Sequence, residues 1–100
     1  MSRQEKAPRA IRGMATIRHA VENASRTPLD DAGIRAILRG EGGDPSHLRA
    51  VFGDVSLRVL EEVAAATGIS PTGLLLAYQA AQRTAAVANP ELDALLAEPW

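Results

Sequence analysis

Prolines and glycines cut this chain into segments too short for anything but small helices, and each cut carries a helix-capping residue. Thr27-Pro28, Asp44-Pro45, Ser70-Pro71 and Asn89-Pro90 each set a side chain that can cap a helix in front of a proline at the first helical position. Gly40, Gly53 and Gly68 stand where helices would stop. Between these marks apolar residues recur every three or four positions, the period of a helix face.

The first stripe, Ile11, Met14, Ile17, Val21 and Ala24, follows Pro8. A second helix, capped by Thr27 with Pro28 first and Asp30 third, buries Ile34, Ile37 and Leu38 and ends at Arg39-Gly40. The third presents Leu48, Val51 and Phe52 before Gly53 stops it. The fourth, capped by Asp54 or Ser56, faces inward with Leu57, Leu60, Val63, Ala64 and Thr67 and closes at Gly68. The fifth runs from Ser70-Pro71 through Leu74, Tyr78, Ala81, Ala85 and Ala88, and a short sixth carries Leu92, Leu95 and Leu96. No segment alternates polar and apolar residues as a half-buried strand does. The expected fold is all-α: a compact bundle of five or six short helices, with a helix-turn-helix-like pair at 57–88, a single helical domain over 9–98 and a basic N-terminal arm over 1–8. Loops of two to five residues favour neighbours packing in sequence order.

One hundred residues hold one modest core. Alanine is the commonest residue and Phe52, Tyr78 and Trp100 are the only aromatics. The core therefore draws mainly on aliphatic side chains: Ile17, Val21, Ile34, Ile37, Leu38, Leu48, Phe52, Leu60, Val63, Leu74, Tyr78 and Leu92. A formal net charge of -1 opposes binding to nucleic acid by bulk charge, which needs concentrated Lys and Arg. The charge is uneven, however. Arg3, Lys6, Arg9, Arg12 and Arg18 crowd the start, and Glu91, Asp93 and Glu98 the end.

Without cysteine there is no disulfide, thiolate nucleophile or cysteine zinc site. His19 and His47 are too far apart to form a metal motif, and Gly42-Gly43 lacks the strand and Lys-Ser/Thr of a phosphate loop. The expectation is a non-enzymatic chain with no cofactor, metal or small-molecule substrate. No apolar run reaches the roughly 18 residues of a membrane span. The N-terminus lacks a secretory pattern, so a cytoplasmic location is expected.

Counted from Leu60, a small residue in fifth place (Ala64), a glycine in ninth place (Gly68) and apolar Val63, Ile69 and Leu74 in fourth, tenth and fifteenth place fall where a helix-turn-helix needs them. Residues 60–79 thus resemble a lambda-repressor-like helix-turn-helix, which implies a DNA-binding regulator. Ser70, Thr72 and Gln79 would face base edges, with Arg9, Arg12, Arg18 and Arg83 on phosphates. Leu75 and Leu76 would occupy the same face and lose water there without return. Residues 44–76, with Phe52-Gly53, Val63-Ala64, Gly68-Ile69-Ser70 and Leu74-Leu75, resemble the YidB-like family of small all-helical bacterial proteins. That resemblance implies a fold more than an activity. A ribbon-helix-helix reading shares the Gly68 turn but requires a strand over residues 49–56.

Leu74, Leu75 and Leu76 together cover about 200° of helix circumference, more than one stripe can bury. Either the fifth helix is central or part of it meets a partner. The first functional expectation is accordingly a protein-interaction or scaffold module that self-associates or docks on a larger protein through Leu75, Leu76, Leu95, Leu96 and Trp100. The alternative is the DNA-binding regulator.

Overall fold

The structure is a computed structural model describing residues 8–42 and 44–98. Six α-helices follow in order: α1 (Pro8–Ser25), α2 (Asp31–Leu38), α3 (Pro45–Asp54), α4 (Leu57–Ala66), α5 (Pro71–Thr84) and α6 (Pro90–Ala97). Among the described residues there is no strand, and no single helix is long and apolar enough to cross a membrane. The ribbon-helix-helix reading fails here, because most of residues 49–56 lie in α3.

Every helix after α1 opens on a side-chain cap. Oxygens of Asp30, Asp44, Ser56 and Ser70 accept the N–H groups of Gly33, Ser46, Val59 and Gly73, and Asn89 Oδ1 accepts from both Glu91 and Leu92. Each such cap contributes on the order of 1 kcal/mol. The α2 cap is Asp30, three residues later than Thr27. Residues 28–30 lie outside any helix, with Asp30 extended, and Arg18 ties this segment to α1: its Nε donates to the Leu29 carbonyl at 3.2 Å and its guanidinium pairs with Asp31. Leu29 is buried just ahead of the cap, in the place from which a hydrophobic staple reaches Ile34.

Glycine ends two helices through the same bond pattern. At α4, Ile69 N–H donates to the Ala64 carbonyl (2.7 Å) and Gly68 N–H to Ala65 (3.2 Å). At α2, Glu41 donates to Ala36 (2.8 Å) and Gly40 to Ile37 (2.9 Å). These are Schellman motifs, and Gly68 and Gly40 take φ of +83° and +85° as the motif demands. Gly53 has no such role. It lies inside α3, which continues to Asp54, and the chain turns at Val55, whose extended backbone accompanies a buried side chain. α5 also stops short of Ala88. Ala85 is extended, Ala88 is exposed, and the segment between the helices instead buries Val87.

The packing does not follow sequence order. α1 lies mainly across α3 and α4, while α5 contacts α2, α3, α4 and α6 and so becomes a central helix. The reason is in the turns: the α4 and α5 axes diverge by 119° across their connection, so consecutive helices do not fold back side by side. α1 approaches α4 closely at Gly13, where a Cβ would stand 2.6 Å from Val63 Cγ2. All twelve residues expected in the core are at most 2% exposed, joined by Leu29, Ala50, Val51, Val55, Leu75, Ala77, Ala81 and Val87. Phe52 and Tyr78 meet at its centre, with ring centroids 5.9 Å apart.

One polar junction crosses this apolar interior. Asn89, 4% exposed, donates from Nδ2 to the Phe52 carbonyl at 2.7 Å while its Oδ1 caps α6. Its backbone N–H donates to Tyr78 Oη at 2.9 Å, and that hydroxyl donates to Asp93 Oδ1 at 2.7 Å. α3, α5 and α6 are thereby joined through Asn89 and the Tyr78 hydroxyl.

Two outcomes test this description. A Cβ at Gly68 would meet nothing within 4 Å, so Gly68→Ala should lower stability by about 1 kcal/mol through backbone strain alone. Helical content by circular dichroism should stay unchanged, and an unaltered melting temperature would contradict the left-handed turn. Burial, and next the hydrogen bond to Asp93, raise the Tyr78 pKa above its ordinary 10.0. The folded state therefore holds the phenol proton more tightly than the unfolded one. This contribution is complete below pH 10.0 and is lost as pH climbs through the raised value. Urea denaturation from pH 8 to 11 should show wild-type stability falling more steeply at the alkaline end than that of Tyr78→Phe.

Candidate functional site

The surface that stands out is built by α4, the start of α5 and the end of α6. Ala64 and Gly68 permit the tight four-residue connection between α4 and α5, and the 119° divergence lies at the wide end of the range for helix-turn-helix pairs. Pro71 and the Ser70 cap start α5 immediately after it. One side of α5 remains in solvent, with Thr72, Leu76, Gln79 and Arg83 following one another at helical spacing.

The three leucines separate. Leu74 and Leu75 are buried at 2% and 7%, whereas Leu76 is 57% exposed and is the large apolar side chain most open to water among the described residues. Leu75, expected on an outward partner face, instead packs into the core, on a helix that other helices surround. Leu95 and Leu96 are half-buried against the same core. Trp100 and the side chain of Arg9 lie outside the described residues.

Two adjoining recesses open beside α5. One, of about 200 Å³, is lined by Glu61, Pro71, Thr72, Leu74, Leu75, Leu95 and Glu98. Another, of about 240 Å³, is lined by Glu61, Ala64, Ala65, Ile69, Pro71 and Leu74. They share Glu61, Pro71 and Leu74, so they form one apolar groove in two steps, with exposed carboxylates at its rim and no basic residue in its lining among the described residues. Glu61 and Glu98 did not stand out in the sequence, because nothing there reveals that α6 folds back to set the two beside one recess.

The residues of the DNA-binding alternative are scattered by the fold. Ser70 and Thr72 are exposed, but the Ser70 hydroxyl accepts the Gly73 N–H at 3.1 Å as a cap. Gln79 and Arg83 are exposed further along α5. Arg12 sits instead with Ser56, Arg58 and Glu62 near the start of α4. Arg18 is engaged by Leu29 and Asp31 beside Arg35 and Thr67. Arg12 and Arg18 thus flank α4 and α2 and do not share a recess with Ser70, Thr72 or Gln79. Among the described residues no three His, Cys, Asp or Glu side chains gather as a metal ion would require.

Comparison of the chain with protein-family models, with curated proteins and with solved structures finds no match.

The split among the leucines has a direct consequence. Leu75→Ala should cost about 2 to 4 kcal/mol, as buried leucine truncations do, and Leu76→Ser should stay within about 0.5 kcal/mol. Chemical denaturation of the two variants checks it, and equal costs would contradict the burial described.

Proposed function

We propose that this chain is a small, non-enzymatic helical interaction module that docks on a protein partner or on a second copy of itself through the α4–α5–α6 face. The observation that carries this reading is the pairing of an apolar groove with an exposed Leu76 on the same central helix. Exposed apolar surface that the monomer leaves uncovered gains free energy when a partner removes it from water, at about 25 cal/mol per Å². Half-buried Leu95 and Leu96 extend that surface onto α6, and Trp100 follows two residues after Glu98 of the groove rim. The resemblance of residues 44–76 to the YidB-like family falls on α3, α4 and the start of α5, and it supports a small helical fold of this kind without adding an activity.

A DNA-binding regulator is the second reading, favoured by the 119° divergence and the glycine turn. Electrostatics weighs against it. The N-terminal turn of α5, the part that would enter a major groove, shares its recess with the carboxylates of Glu61 and Glu98, which would face phosphate. Arg83 is the sole basic residue on the exposed side of α5, and Arg12 and Arg18 lie beside other helices.

Sedimentation velocity over a hundredfold concentration range, with co-purification from the native host, tests the first reading. Self-association or a retained partner is expected, and the double variant Ala65→Arg with Leu76→Glu, at exposed positions of α4 and α5, should weaken it at least tenfold without shifting the melting temperature. A strict monomer that retains nothing, or an assembly indifferent to the double variant, would count against it. The DNA reading predicts instead duplex binding whose salt slope drops with Arg83→Ala and whose sequence preference relaxes with Gln79→Ala.

A further inference from the structure

The groove beside α5 is more selective than a generic apolar patch, and its shape and charge together narrow what it can hold. The groove is divided into two steps of about 200 and 240 Å³. A recess of that size suits one large apolar side chain. Because the steps share Glu61, Pro71 and Leu74, two such side chains must enter next to each other. Residues three or four apart on a helix, with Cβ atoms about 5 to 6 Å apart, present neighbouring side chains in this way.

The rim selects charge. Glu61 is exposed and borders both steps, Glu98 is exposed and borders one, and among the described residues no Lys or Arg lines either. A partner segment bearing acidic flanks would meet like charge at both ends, while Lys or Arg flanks would be steered inward and held.

Resting on the interaction-module reading above, we infer that this groove receives a basic amphipathic helix of another protein, with two apolar anchors one turn apart in the two steps and Lys or Arg beside Glu61 and Glu98. Ala65 sits exposed on α4 at the edge of one step, so a long side chain there obstructs the groove without entering the core. Leu76, on the solvent side of α5, lies outside both linings.

The test is selection of a phage-displayed library of random 16-residue peptides on the immobilised full chain, followed by fluorescence anisotropy with the selected peptides. The expected peptides share two apolar residues three or four apart with Lys or Arg in the flanks. Their affinity should fall at least tenfold for Ala65→Arg, at least threefold for Glu61→Gln combined with Glu98→Gln, and little for Leu76→Ser. No selected peptide, or peptides with acidic or uncharged flanks, would overturn the inference. Peptides blocked by Leu76→Ser and indifferent to Ala65→Arg would overturn the groove as the site while leaving an interaction module in place. A homo-oligomer abolished by Ala65→Arg would make the occupant a second copy, which likewise overturns the inference and leaves the broader reading standing.

Discussion

The architecture of this chain hinges on the side chain of Asn89. A buried amide is costly unless every donor and acceptor finds a partner. Here Nδ2 meets the Phe52 carbonyl, Oδ1 caps α6, and the backbone N–H meets the Tyr78 hydroxyl, whose own proton goes to Asp93. The same residue ends the extended segment after α5 and starts α6, so it decides where the chain turns. Without that turn α6 would have no reason to lie along α5, Leu92 would not reach the core, and Glu98 would not stand across the groove from Glu61. Glu91 adds a second tie, accepting the Leu57 N–H at the start of α4.

This dependence explains how a chain with few aromatic residues maintains a definite surface. The interior is filled by aliphatic side chains on helices of eight to eighteen residues, none of which is stable alone in water. Capping side chains at five helix starts and glycines at two helix ends fix the directions in which those helices leave their turns. Close approach at Gly13 seats α1 on α4, and the diverging α4 and α5 leave between them the wedge that becomes the groove.

Local structure was the most legible part of the sequence. Proline after Asp44, Ser70 and Asn89, and glycine at 40 and 68, act within one turn of the chain, so their meaning can be read without knowing the fold. The errors arose where a distant contact overrode the local signal. Thr27-Pro28 reads as a helix start, yet Arg18 from α1 engages the Leu29 carbonyl and Asp31, and the cap is Asp30. Gly53 reads as a stop, yet α3 passes through it to Asp54, with Val55 buried just beyond. Three successive leucines reveal a helix with too much apolar surface, but only the packing of the other helices around α5 determines that Leu75 is covered and Leu76 is not. The carboxylate rim of the groove was invisible for the same reason, since Glu61 and Glu98 are 37 positions apart in the sequence.

Native-state hydrogen exchange on Asn89→Ala decides whether the Asn89 junction holds α6, and with it the groove, in place. The amides of Asp93 to Ala97 should lose protection by at least a hundredfold while those in the middle of α1 and α3 lose markedly less. Protection of α6 that falls no further than that of α1 and α3 would show instead that apolar packing alone secures α6.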